Sequence, residues 1–169
     1  MGEATFYLKA RFGSEDEAKL AVKIAKYVLD DLAEFHDDWQ RIRSETEIPV
    51  KGRDRILKEK HPLVAKLIEL PEPRSNDVCM NYLAGRCEMH KGYELYNNGE
   101  WIYLSCICWH LASWDNIEKL FIKLGAIEVG WISDEDFNPF DAVPVRIVTP
   151  GNLREVLEEI GQELLAQLI

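Results

Sequence analysis

The sequence predicts an α+β protein built on an antiparallel, four-stranded sheet, and three observations carry that expectation. Residues Trp101 to His110 run for ten positions without a charge in a chain that is 30% charged. Just before them stands Asn97-Asn98-Gly99, a hairpin signal, because Asn and Gly accept the positive φ angles of a tight turn. Between Ala18 and Trp39, apolar residues recur at three- and four-residue steps, as they do along one stripe of a helix.

In chain order, Thr5 to Phe12 alternates and reads as the first strand. Phe6, Leu8, Ala10 and Phe12 share one face, with Thr5, Tyr7, Lys9 and Arg11 on the other. Gly13 breaks it, and Ser14 with Glu17 has the spacing of a capping box for a helix. The stripe Ala18, Ala21, Val22, Ala25, Val28, Leu29, Leu32, Phe35 and Trp39 then gives a helix about 36 Å long, enough to cover a sheet face. After Trp39 the pattern decays, and Pro49 and Gly52 mark a loop. His61-Pro62 opens a short helix carrying Leu63, Val64, Leu67, Ile68 and Leu70, stopped by Pro71 and Pro73. Ser75 or Asn76 caps another through Val78, Cys79, Tyr82 and Leu83, ended by Gly85.

Tyr93 to Tyr96 and Trp101 onward are the two strands of the hairpin. Within the second, Ile102, Leu104, Cys106, Cys108 and His110 share one face, and Trp101, Tyr103, Ser105, Ile107 and Trp109 the other. Apolar on both sides, this strand belongs in the middle of a sheet. Ser113 caps a helix with Trp114, Ile117, Leu120, Phe121 and Leu124, which Gly125 ends. Ala126 to Ile132 is the next strand, and Ser133 to Ala142 an acidic turn region. Val145 to Val148 is a short edge strand, and Thr149-Pro150 opens a last helix with Leu153, Val156, Leu157, Ile160, Leu164 and Leu168 on its apolar side.

The succession β-α-β-β-α-β over residues 5 to 132 resembles the ferredoxin-like split β-α-β sheet, with the first and third strands central and both helices on one face. One domain over residues 1–169 is expected: a core of 5–39 and 93–132, a helical insertion at 40–92, and an extension at 133–169 with the extra C-terminal helix. That architecture hosts unrelated activities and by itself implies no function.

At 169 residues the chain is long enough to bury a core without a disulfide or metal. Its net charge of −10 opposes attraction to nucleic acid and to anionic membranes. Residues 40–92, with eleven basic and eight acidic groups, are the one net basic stretch, whereas residues 111–169 carry −7. The start has no basic region followed by an apolar one, and no apolar run approaches the ~20 residues of a membrane span. A cytoplasmic protein with reduced thiols is expected.

Two constellations bear on function. If Phe6 and its neighbours lie under the helices, then Tyr7, Lys9, Arg11, Trp101, Tyr103 and Trp109 share the opposite face. Such a face is covered by the C-terminal helix, the insertion or a second subunit, or else it binds a protein partner or small ligand. Tyr7, Trp101 and Tyr103 loosely resemble the base-stacking aromatics of RNA-recognition motifs. Here, however, Gly99-Glu100 replaces the basic start of that motif and Cys106 its last aromatic, so nucleic acid is not the expected partner.

The second constellation is Cys79, Cys87, His90, Cys106, Cys108 and His110. Thiolates and imidazoles are zinc ligands, but alternate positions spread along a flat strand suit a tetrahedral site poorly, and buried packing is the simpler expectation. Cys108 with His110 would be a thiol nucleophile and its base, without an assignable oxyanion hole. Asp134, Glu135, Asp136, Asn138 and Asp141 lack the glycine and closing glutamate of a calcium loop and read as a solvated turn. His36 and His61 read as surface or capping residues. No cofactor is expected. The reading is a small acidic binding or regulatory protein, self-association included. Its alternatives are a metal or thiol enzyme at Cys106, Cys108 and His110, and an acidic neutraliser of a basic protein.

Overall fold

The computed structural model describes residues 4–43, 50–67, 93–108, 111–133 and 138–168. They form β1 (Ala4–Arg11), α1 (Glu15–Arg43), α2 (Val50–Lys60), α3 (Pro62–Leu67), β2 (Glu94–Asn98) and β3 (Trp101–Cys108). There follow α4 (Leu111–Lys123), β4 (Glu128–Ser133), α5 (Pro139–Ala142), β5 (Arg146–Ile147) and α6 (Leu153–Leu168). The protein is α+β, with one open antiparallel sheet in the order β2-β3-β1-β4-β5. The sheet has five strands rather than four because the short edge strand expected at Val145 to Val148 joins it: Arg146 and Ile147 pair with Val129 and Glu128 along the outer edge of β4. No described helix is long and apolar enough to cross a membrane.

Register explains why one face is core. Phe6, Leu8 and Ala10 of β1 stand opposite Cys106, Leu104 and Ile102 of β3, so all six point to the same side. Leu95 of β2 and Val129 of β4 extend that side outward. On it α1 lays down Ala21, Ile24, Ala25, Val28 and Leu32, and α4 adds Ile117, Leu120 and Phe121, all buried in one continuous core. The capping box operates with a shift: Ser14 Oγ accepts from Glu17 N at 3.2 Å, while Glu17 Oε2 accepts from Gly13 N rather than from Ser14. Gly99 takes φ +59 at the hairpin tip, and Gly125 takes φ +110 where α4 ends.

Several boundaries differ from expectation. α1 continues four residues past Trp39 to Arg43, where Arg41 pairs with Asp38 one turn back at 2.9 Å. Of the loop expected as far as Gly52, residues 50–52 belong instead to α2, with Gly52 in its first turn, and residues 44–49 lie outside the described residues. α4 starts at Leu111, which places Ser113 inside the helix rather than at its cap. The last helix opens after Asn152, whose Oδ1 accepts from Arg154 N at 3.1 Å, and is broken at Gly161, which takes φ 82 and ψ 168. Part of the acidic turn is helical as well, at Pro139–Ala142. The helix expected around Asn76 to Gly85 lies outside the described residues.

His61 is not a surface residue. It sits between α2 and α3 at 1% exposure, its ring edge-on to Phe35. Nδ1 lies 2.7 Å from Asp31 Oδ1 and Nε2 2.6 Å from Asp38 Oδ2, which fastens the α2–α3 pair to α1. Desolvation pushes the Asp38 carboxyl up, but hydrogen bonds and charge from Lys60 and His61 outweigh it and hold the group below the usual carboxylate range.

Candidate functional site

The other side of the sheet is built from the alternate residues of the same strands. Tyr7, Lys9 and Arg11 of β1 stand opposite Ser105, Tyr103 and Trp101 of β3, so five of the six residues read from the sequence share one face. The sixth, Trp109, lies outside the described residues. The face gains a ring that sequence reading passed over: Tyr96 of β2 pairs with Tyr103 across the hairpin and stacks on it at 5.4 Å and 26°. Its signal was present in the alternation of Glu94, Tyr96 and Asn98.

A second ring reaches the face from above. Beyond β4 the chain crosses back over the sheet, and α5 sets Phe140 edge-on against Tyr103 at 5.1 Å, Tyr7 at 5.6 Å and Tyr96 at 6.5 Å. These tilted arrangements bring the positive ring edge of one aromatic to the negative face of another. The crossing is close because β4 carries Gly130 beneath it: a Cβ there would stand 1.9 Å from the Pro144 carbonyl oxygen. Phe140 was invisible as a site residue, because an aromatic within an acidic turn region has no period that betrays its direction.

The cover is partial. Tyr96 remains 47% exposed, and Tyr7, Trp101, Tyr103 and Phe140 are half-buried. The described apolar side chains of α6 lie elsewhere: Val156 joins the core on the helix side, with Leu153, Leu157 and Ile160 packed against it. Burial, helped by the neighbouring Tyr96 and Asp141 charges, pushes the Tyr103 hydroxyl above its ordinary pKa, so it remains a hydrogen-bond donor at neutral pH.

Both cations among the described residues of this face are already engaged. Arg11 Nε donates to Glu128 Oε2 at 2.5 Å with Glu100 at 3.9 Å, and the bond to Glu128 raises the guanidinium pKa further. Lys9 Nζ stands 4.7 Å above the Trp101 ring, a cation–π contact. What the face presents is therefore aromatic, with its cations held by groups of the face itself.

The thiol and imidazole constellation is only partly accounted for. Cys106 is buried at 2% beneath the helices, on the side of the sheet away from the aromatic face. Cys108 is the last residue of β3, and Cys79, Cys87, His90 and His110 lie outside the described residues. Of the acidic turn, Asn138 Nδ2 donates to Asp141 Oδ2 at 2.8 Å, which ties these two groups to each other. Elsewhere a cleft of about 810 Å3 runs between Gly13, Gly125, Gly151 and the start of α6, with Glu17, Arg154 and Glu155 at its rim.

No family model, curated protein or solved structure matches this chain. Chemically, the aromatic face offers ring surfaces and tyrosine hydroxyls. Its described residues carry no histidine or cysteine.

Proposed function

We propose that the protein is a non-catalytic binding protein of regulatory type that associates through the aromatic face of its sheet, with a second copy of itself as the partner. The observation that carries the reading is the Tyr96–Tyr103 stack, half open to solvent and flanked by Trp101 and Tyr7. Tyrosine and tryptophan are enriched where protein surfaces meet, since a large rigid ring buries much apolar area while a polar group keeps a hydrogen bond. Engagement of Lys9 and Arg11 by groups of the same face disfavours a polyanion and leaves ring surface as what a protein partner would meet. A two-fold contact is the commonest form of self-association and requires a patch that complements itself, as mixed stacking and edge-on rings do.

The sheet order, with β1 and β3 central, supports a ferredoxin-like split arrangement extended by β5. A cytoplasmic setting, expected from the sequence, belongs to the same proposal.

Sedimentation velocity across a wide concentration range tests the reading, with Trp101→Ser/Tyr103→Ser compared against Tyr27→Ser on α1. Concentration-dependent dimerisation that the double variant loses and Tyr27→Ser keeps is the expected result. A monomer at every concentration, or a dimer indifferent to the double variant, overturns self-association through this face.

A further inference from the structure

The contact between α1 and the α2–α3 junction has more chemistry in it than a fastening requires. α1 carries Asp31, Glu34 and Asp38 at steps of three and four residues, so all three carboxylates lie along one side of the helix. Opposite them, the backbone bond from His61 N to Leu57 O at 2.9 Å ends α2 and turns the imidazole inward. One ligand atom each from Asp31, Glu34 and His61 lie within 4.8 Å of one another. We propose that His61 Nδ1, Asp31 and Glu34 form a binding site for one zinc-type divalent cation, with Asp38 orienting the imidazole from its far side.

Three features carry this beyond a chance cluster of acids. The first is the buried imidazole, whose second nitrogen is already assigned. A histidine that ligates metal through one nitrogen nearly always donates its other N–H to a carboxylate or carbonyl, which fixes tautomer and ring orientation. Asp38 Oδ2, 2.6 Å from Nε2, holds that place and leaves Nδ1 aimed at Asp31.

The second feature is charge. Asp38 is met by Lys60 at 3.0 Å and Arg41 at 2.9 Å, whereas among the described residues neither Asp31 nor Glu34 meets a lysine or arginine. Two carboxylates facing one imidazole are short of positive charge, and a divalent cation in the place of the Nδ1 hydrogen supplies it.

The third is access. Glu34 is exposed and Asp31 only half-buried, so the site opens to solvent on the carboxylate side while the imidazole is packed against Phe35. A small closure of the 4.8 Å spread brings three ligands around one ion and leaves a fourth position for water, the arrangement of open zinc sites. One nitrogen and two carboxylates suit zinc, cobalt or manganese, whereas calcium and magnesium take oxygen ligands. The site is on the helical side of the molecule, and the proposal is independent of the aromatic face.

The test uses the full chain stripped with chelator and titrated with zinc by calorimetry, then with cobalt for its absorption spectrum. One equivalent bound is expected. So are cobalt ligand-field bands of a nitrogen and oxygen site, without the intense sulfur-to-cobalt band that cysteine ligands produce. Glu34→Gln, at an exposed position, should weaken zinc at least about tenfold while leaving the melting temperature of the metal-free protein unchanged. Asp38→Asn should weaken it roughly 10- to 100-fold, as losses of orienting partners do. Failure to bind zinc, wild-type affinity in Glu34→Gln, or a sulfur-to-cobalt band would each overturn the proposal.

Discussion

Replacing Phe140 by alanine isolates what the chain crossing contributes to the sheet beneath it. The ring makes three aromatic contacts, with centroids 5.1, 5.6 and 6.5 Å from Tyr103, Tyr7 and Tyr96. Such pairs are worth about 0.5–1.5 kcal/mol each beyond the area they bury. Phe140 is half-buried and its longest contact is weak, so the lower part of that range applies and the loss should be about 2 kcal/mol. For a chain of this length that is a fall in melting temperature of about 4–8 °C. Urea unfolding followed by far-ultraviolet circular dichroism measures it directly, and the slope should stay unchanged because the core on the helix side is untouched. The same substitution uncovers Tyr7, Tyr103 and Tyr96, so dimerisation through this face should tighten while the monomer weakens. A loss below about 0.5 kcal/mol, the scale of an ordinary surface substitution, would refute the reasoning, because Phe140 would then not be seated on the sheet.

Gly130→Ala attacks the same contact from below: its Cβ would meet the Pro144 carbonyl oxygen at 1.9 Å, so the crossing chain must lift, at a cost of about 1–3 kcal/mol seen as a lower urea midpoint. Leu8→Ala, beneath the helices at 0% exposure, should cost about 2–5 kcal/mol, whereas Trp101→Ser on the opposite face should cost much less; equal losses in urea titrations would mean that both faces are core. Tyr93 should ionise later than the other tyrosines in an alkaline absorbance titration, since burial and the bond to Asp30 at 2.8 Å raise its pKa. Because the folded value lies above the unfolded one of about 10, this contribution is intact below that pH and is lost as pH rises toward the folded value. Tyr93→Phe should therefore move alkaline unfolding to higher pH, and an unchanged midpoint would contradict the assignment.

What could be read from the sequence was whatever repeats with a period. Leu8 and Leu104 face the helices, and Tyr7 and Tyr103 face away, because alternation along β1 and β3 fixes direction once an adjacent residue is known to be buried. Gly99 and Gly125 were legible for a related reason, since both stand where the backbone turns through positive φ. The contacts that give each candidate site its character have no period. Phe140 reaches the sheet through a crossing whose path depends on Gly130 having no side chain. His61 meets Asp31 and Asp38 only after thirty and twenty-three intervening steps of chain have folded back on α1.

The same contrast explains why the helical stripe of α1 disclosed half of its role. Ile24, Val28 and Leu32 announce the face turned to the sheet, and the hydrophobic effect suffices to place them. Asp31, Glu34 and Asp38 occupy another side of the same helix at equally regular spacing, which in sequence is indistinguishable from a solvated acidic flank. The difference is made by one residue from outside the helix. A carboxylate row becomes a candidate ligand set only where a buried imidazole is delivered to it, and His61 does so because Leu57 and Val64, on either side of it, are themselves buried against the core.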